Sequence, residues 1–172
     1  MKRRHFLTAT TAAGLTVLAG CSGGPSMQGD NDNPIDQSPK GLLPAPSFFG
    51  DDWTQNPDGG NGMHPMELDG ETATTGFHSG DGGQAVNTHV TVFDSVENAT
   101  TAYQDMREYD SDGAGAENLD IASESYSTEI GSIVTVYFRD ANCIGMLNHV
   151  SDEVPTKPVE YSADWHKTWR DG

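Results

Sequence analysis

Residues 86 to 109, VNTHVTVFDSVENATTAYQDMREY, decide the fold. Val86, Thr88, Val90 and Val92 alternate with Asn87, His89, Thr91 and Phe93, the period-two pattern of a strand with one mostly aliphatic face. Asp94 then stands as an N-cap with Glu97 three residues on, a capping-box spacing. Val96, Ala99, Tyr103, Met106 and Tyr109 recur at helical intervals, so an amphipathic helix is predicted over 95–109, closed by Asp110-Ser111-Asp112-Gly113.

Working outward, a short strand is predicted over 123–128, after a Gly/Ala/Asp loop. A strong one follows over 133–138, built from Ile, Val, Thr, Tyr and Phe. Asp140-Ala141-Asn142 turns the chain back into residues 143–150 as a hairpin, and Ala141, a poorer turn former than glycine, predicts a three-residue loop or a bulge. Residues 160–169 have helical potential, with Ala163, Trp165, His166 and Trp169 as docking contacts. Toward the N-terminus, 71–78 reads as a strand, while 80–84 and 56–62 are turn material. Leu42, Leu43, Phe48, Phe49 and Trp53 add apolar bulk to a segment that Pro44 and Pro46 keep extended. The fold class is α+β: a single small domain with an antiparallel sheet and one main helix packed on a face, following a signal peptide and a flexible tether.

The signal is residues 1–20. Lys2, Arg3 and Arg4 form a cationic head, residues 6–19 are uncharged and only modestly hydrophobic, and Leu18-Ala19-Gly20-Cys21 ends the run with small residues and a cysteine. The uncharged run is too short to span a bilayer as a permanent helix. Arg3-Arg4-His5-Phe6-Leu7 resembles the twin-arginine motif of folded-protein export, with Arg3, Arg4, Phe6 and Leu7 as its residues. Residues 18–21 resemble a lipobox, in which cleavage frees Cys21 and a lipid caps its sulfur. Cys143 is then the only free thiol, and no intramolecular disulfide framework exists. Residues 21–40, rich in Ser, Gly, Pro, Asn and Asp, read as a lipid-anchored flexible linker, and 41–172 as the extracytoplasmic domain.

All 26 acidic residues follow Cys21, against the six basic residues left when Lys2, Arg3 and Arg4 are removed from nine, a formal net charge of −20. The acids are dispersed rather than blocked, as suits a surface that must stay hydrated in strong salt. Such a chain repels phosphates, so nucleic acid is excluded as a partner.

The run Val90 to Ala99 (VTVFDSVENA), Ile130-Gly131, and Val136 to Asn142 (VYFRDAN) carry a further resemblance. With the twin-arginine signal, they resemble a family of uncharacterised haloarchaeal surface lipoproteins exported by that route, in which a Leu-Pro and Gly-Trp opening precedes a strand–helix unit and a hairpin ending Phe-Arg-Asp-Gly-Asn. Leu43-Pro44 fits, Asp52-Trp53 stands for Gly-Trp, and Ala141 stands for the turn glycine. The resemblance covers residues 41–150. It implies a shared fold and a surface location, and carries over no catalytic residue.

Few residues offer chemistry. Met63-His64-Pro65-Met66 places an imidazole between two thioethers, a soft set suited to copper(I). Cys143, Met146 and His149 form a second soft set, but on a strand Cys143 and His149 share a face while Met146 points to the other, so a strand thiol with a partly exposed His149 is favoured. No nucleophile elbow, P-loop, dinucleotide loop or zincin motif occurs. Asn98-Ala99-Thr100 is a glycosylation sequon, with Asn98 facing solvent. The expectation is a non-catalytic domain, with no cofactor, held to the membrane by the lipid on Cys21. It binds a small ligand or a surface protein where Phe48, Phe49, Trp53 and the loop at Met63 to Met66 meet the sheet. The rival is a copper-binding or electron-transfer protein using Met63, His64 and Met66, or Cys143 with His149.

Overall fold

Seven antiparallel strands pair in the order β1-β2-β3-β7-β6-β5-β4: β1 Trp53–Asn56, β2 Glu71–Ser79, β3 Gln84–Val92, β4 Glu117–Asn118, β5 Glu124–Ile130, β6 Ile133–Asp140 and β7 Cys143–Ser151. The computed structural model describes residues 33–56, 58–59, 67–113 and 115–170. Two meanders, β1–β3 and β4–β7, meet where β3 pairs with β7 along its whole length, Gln84 opposite Ser151 and Val92 opposite Cys143. Helix α1 (Val96–Gly113) carries the chain between the meanders, and α2 (Pro158–Thr168) follows β7. The expected single α+β domain is the architecture observed, with a second helix on the other face.

Alternation along the strands sorts the core into two layers. On one face Ala99, Tyr103 and Met106 of α1 cover Phe93, Tyr126, Tyr137, Ile144 and Met146. Tyr126 and Tyr137 stack at 4.6 Å, and the Tyr126 hydroxyl donates to Asp110 at 2.9 Å. On the other face Leu42, Phe49, Trp165 and Trp169 cover Phe77, Val86, Val90, Val136, Phe138 and Leu147. Each large apolar side chain taken fully out of water there contributes about 1.5–3 kcal/mol. Cys143 and Met146 lie in opposite layers, as strand alternation requires.

The strand–helix unit differs from expectation at both helix ends. Ser95, not Asp94, caps α1: its Oγ accepts the Asn98 N–H at 3.1 Å, and Glu97 lies inside the first turn, where a negative charge suits the helix dipole. The helix also runs through the residues expected to close it. Ser111 Oγ bonds back to the Arg107 carbonyl at 2.7 Å and Asp110 is engaged by Tyr126, so the polar residues serve the helix rather than a turn. The chain leaves it where the Gly115 N–H closes onto the Asp110 carbonyl at 3.2 Å.

The β6–β7 hairpin has a two-residue loop, not three, since Asp140 pairs with Cys143. Ala141 takes a positive φ of 49°, which costs an L-residue about 1–2 kcal/mol. Tertiary contacts hold it there. Asn142 accepts the Ile35 N–H at 2.7 Å and donates to the Phe93 carbonyl at 2.9 Å and the Ile35 carbonyl at 3.4 Å. Asp140, 3% exposed, accepts from His166 Nε2 at 2.9 Å and from Arg170 Nε and Nη2 at 2.9 and 2.7 Å.

Residues 33–40, grouped with the linker on composition, lie against this domain. Ile35 is buried beside Asn142, Gln37 donates to the Trp169 carbonyl, and Pro39–Leu42 forms a 3₁₀ turn. Both Trp165 and Trp169 donate their indole N–H to the Leu42 carbonyl, at 2.7 and 3.2 Å. The N-terminal strap and α2 therefore close one layer together.

Candidate ligand-binding cleft

At the end of the sheet remote from the Asp140–Asn142 turn, the strap and α2 diverge and leave a cleft of about 810 Å³, a volume typical of small-molecule sites. The strap, residues 33–52, supplies Phe49, β1 supplies Trp53, and α2 supplies Tyr161. The floor is β7 with His149 and Ser151, flanked by Gln84 at the start of β3. The rim is the β2–β3 turn with Asp81 and the β7–α2 connection with Glu153 and Lys157.

Local sequence explains each wall. Pro44 and Pro46 keep the strap from forming a longer helix, and a 3₁₀ turn at Pro46–Phe48 swings Phe49 inward. Phe49 packs on Phe77 at 4.7 Å, on Trp53 at 5.4 Å and edge-on to Tyr161 at 5.3 Å. In the β2–β3 turn Gly82 takes φ +73° and its N–H reaches the Ser79 carbonyl at 2.9 Å. That turn presents Asp81, whose Oδ1 accepts the Ser79 hydroxyl at 2.6 Å and the Gly83 N–H at 3.0 Å. The Ser79 hydroxyl first and the Gly83 N–H second hold its carboxyl below the usual range, so it stays ionised.

His149 is the unusual member. It is 2% exposed, with the Trp53 ring 6.4 Å and the Tyr161 ring 6.0 Å from its own. Nε2 lies 3.1 Å from Gln84 Oε1. Paired with that oxygen, Nε2 is assigned the proton and Nδ1 a bare lone pair. Three buried side-chain atoms lack a hydrogen-bond partner among the described residues: Asn148 Oδ1, His149 Nδ1 and Ser162 Oγ. Of these only His149 borders the cleft. Burial lowers its pKa below 6.5, which keeps the imidazole neutral at pH 7.

The structure brings together part of the expected site. Phe49 and Trp53 line the cleft while also closing the core, whereas Phe48 packs edge-on to Phe49 at 5.0 Å and stays outside the lining. Sequence reasoning missed Tyr161, Gln84 and Lys157, and it expected His149 to be partly exposed, whereas α2 and the strap bury it. Its place on the strand face shared with Cys143 was the available signal. Those two residues are six positions apart on β7, a separation of roughly 20 Å, too far to share a metal ion. The Cys143 thiol is fully buried, and burial with the nearby Asp140 charge pushes it up to about 12, which disfavours the thiolate at pH 7. Asn98 is exposed in the first turn of α1, at the edge of a shallower hollow of about 300 Å³.

Arg3, Arg4, Phe6, Leu7 and Cys21, and the soft set Met63, His64 and Met66, lie outside the described residues. Among the described residues no group of three or more His, Cys, Asp or Glu converges on a metal-binding point, and no helix is long and apolar enough to cross a membrane. Comparison with protein-family models, with curated proteins and with solved structures found no match to this chain.

Proposed function

We propose that the protein is a lipid-anchored, extracytoplasmic binding domain of a halophilic archaeon's surface, non-catalytic, with the 810 Å³ cleft between the strap and α2 as its ligand site. The observation that carries the reading is the joint lining of that cleft by Phe49, Trp53 and Tyr161 around the buried imidazole of His149. Aromatic walls with a few polar groups are what a small organic ligand needs for burial and orientation. A core this closed supports binding rather than bond-breaking: the one described thiol is shut away, and the cleft imidazole faces a glutamine amide instead of a nucleophile it could activate. The export signal and Cys21 supply the address, the dispersed acids suit strong salt, and a lipid anchor with a short tether would hold the cleft near the outer membrane face.

Two measurements test the reading. Expressed in a host with twin-arginine export, the wild-type chain fractionates with the membrane and Cys21→Ser is released to the medium, whereas Arg3→Lys with Arg4→Lys retains the precursor inside. Membrane retention of Cys21→Ser, or normal export of the double lysine variant, contradicts the address. Metal analysis of protein purified in high salt is expected to find no stoichiometric copper. One copper per chain would instead assign the protein to the Met63, His64 and Met66 set.

A further inference from the structure

We infer that the cleft takes an organic ammonium ion bearing N–H groups, its charge held between the aromatic faces of Trp53 and Tyr161 and its N–H donated to His149. The inference rests on the reading of the cleft as a binding site and names the chemistry of its occupant. Three independent features converge on it. The first is the lone pair on His149 Nδ1, a buried acceptor without a donor, next to a cleft large enough for a small molecule. Such a group favours a ligand that brings a donor and disfavours one that brings a second acceptor, a carboxylate above all. Gln84 is exposed, so its amide can turn aside and let the imidazole rotate about χ2 to present the bare nitrogen.

The second feature is the pair of aromatic rings beside that imidazole, Trp53 at 6.4 Å and Tyr161 at 6.0 Å, both half-buried and lining the cleft. Indole and phenol faces carry the negative end of the ring quadrupole and attract a cation, most strongly where water is excluded. The third is the charge of the rim. Asp52, Asp81 and Glu153 border the cleft against a single Lys157, and the Asp81 hydrogen bonds fix one carboxylate in its ionised form. A neutral saccharide would use the rings and the hydroxyl-bearing groups but would draw nothing from the rim charge. An anion would meet both the lone pair and the carboxylates.

The test uses the secreted Cys21→Ser protein and four probes: butylammonium, tetramethylammonium, butyrate and methyl glucoside. Binding is read from the Trp53 indole N–H and the His149 ring nitrogens by NMR titration. Butylammonium is expected to shift both signals and to bind about tenfold more tightly than butyrate or the glucoside, and severalfold more tightly than tetramethylammonium, which offers charge but no N–H. His149→Leu is expected to lose about tenfold in butylammonium affinity and less than about twofold in tetramethylammonium affinity. The exposed double variant Asp52→Asn with Asp81→Asn, which leaves the core intact, is expected to weaken both cations about threefold at low salt. Equal affinity for the two cations, or unchanged butylammonium binding in His149→Leu, overturns the role of Nδ1. Shifts of the cleft signals by the glucoside or butyrate but not by butylammonium overturn the ammonium inference and leave the cleft as a binding site. A cleft silent to all four probes overturns both.

Discussion

Strand β7 runs between two buried polar sites on the same face of the sheet, and the two are built in opposite ways. At its start, Asp140 and Asn142 are ringed by partners from three distant parts of the chain: His166 and Arg170 at the C-terminus, Ile35 in the strap, and the Phe93 carbonyl after β3. Toward its end, His149 is equally buried but has one side-chain partner and a bare nitrogen beside a cleft. Satisfied polar networks of the first kind specify a unique packing. An unsatisfied group of the second kind costs stability unless a water, an ion or a ligand completes it. The comparison separates residues that hold the strap and α2 together from residues over which the two part.

The largest expected effect breaks the satisfied end. Asn142→Ala strands the Ile35 N–H and the Phe93 carbonyl in the core and releases the clamp on the positive-φ turn, a loss of about 3 kcal/mol that lowers the midpoint of thermal unfolding by about 10 °C. Next, Gly145→Ala strikes the layer between the two ends. A Cβ at Gly145 would sit 2.4 Å from Phe138 Cζ, and that ring is boxed in by Trp165 and Trp169 at 5.3 and 4.9 Å. Overpacking of this kind costs about 2–3 kcal/mol, measurable by urea unfolding with an unchanged m-value.

Smaller still is the pH dependence of the clamp. Burial raises the Asp140 pKa, but the hydrogen bonds from His166 and Arg170 and their charges outweigh it and bring the carboxyl to about 2, against 3.8 for the free side chain. The folded state thus binds the proton more weakly than the unfolded one. The resulting stability, about 2 kcal/mol, is fully present above pH 4 and is lost as pH falls from 3.8 through 2. Unfolding curves across that range should be steeper for wild type than for Asp140→Asn.

The smallest effect is expected at the cleft. His149→Leu removes a buried group that is only half satisfied, so stability at pH 7 changes by no more than about 1 kcal/mol in either direction. Because burial lowers the pKa of His149, the wild-type imidazole contributes stability that is present above pH 6.5 and falls as pH drops below it, and that slope is absent from the leucine variant. A loss at His149 as large as that at Asn142 would erase the distinction between the two ends.

What the sequence displays of this architecture is what depends on neighbours along the chain. The alternation in β3, the spacing of Ala99, Tyr103 and Met106 in α1, and the β-branched run of β6 are local patterns, and each element forms there, with α1 running four residues past its predicted end. Strand β1, four residues long and half exposed, has no such pattern and exists because Trp53 to Asn56 pair with Ser79 to Gly76. The two polar ends of β7 were hidden for the same reason. Asn142 reads as a turn residue until it bonds Ile35, 107 positions away, and His149 reads as half exposed until Tyr161 and Trp53 fold over it. Phe49 and Trp53 were visible as aromatic bulk, but their joint lining of the cleft with Tyr161 required the closure of both termini over one face.

The most direct measurement is the protonation of the His149 ring, followed by ¹⁵N NMR of the secreted Cys21→Ser protein at neutral pH before and after butylammonium is added. The account predicts a neutral imidazole with the proton on Nε2 and an unprotonated Nδ1, whose resonance moves as it accepts the ammonium N–H. A proton already on Nδ1, or an Nδ1 resonance unmoved at saturating butylammonium, would contradict it.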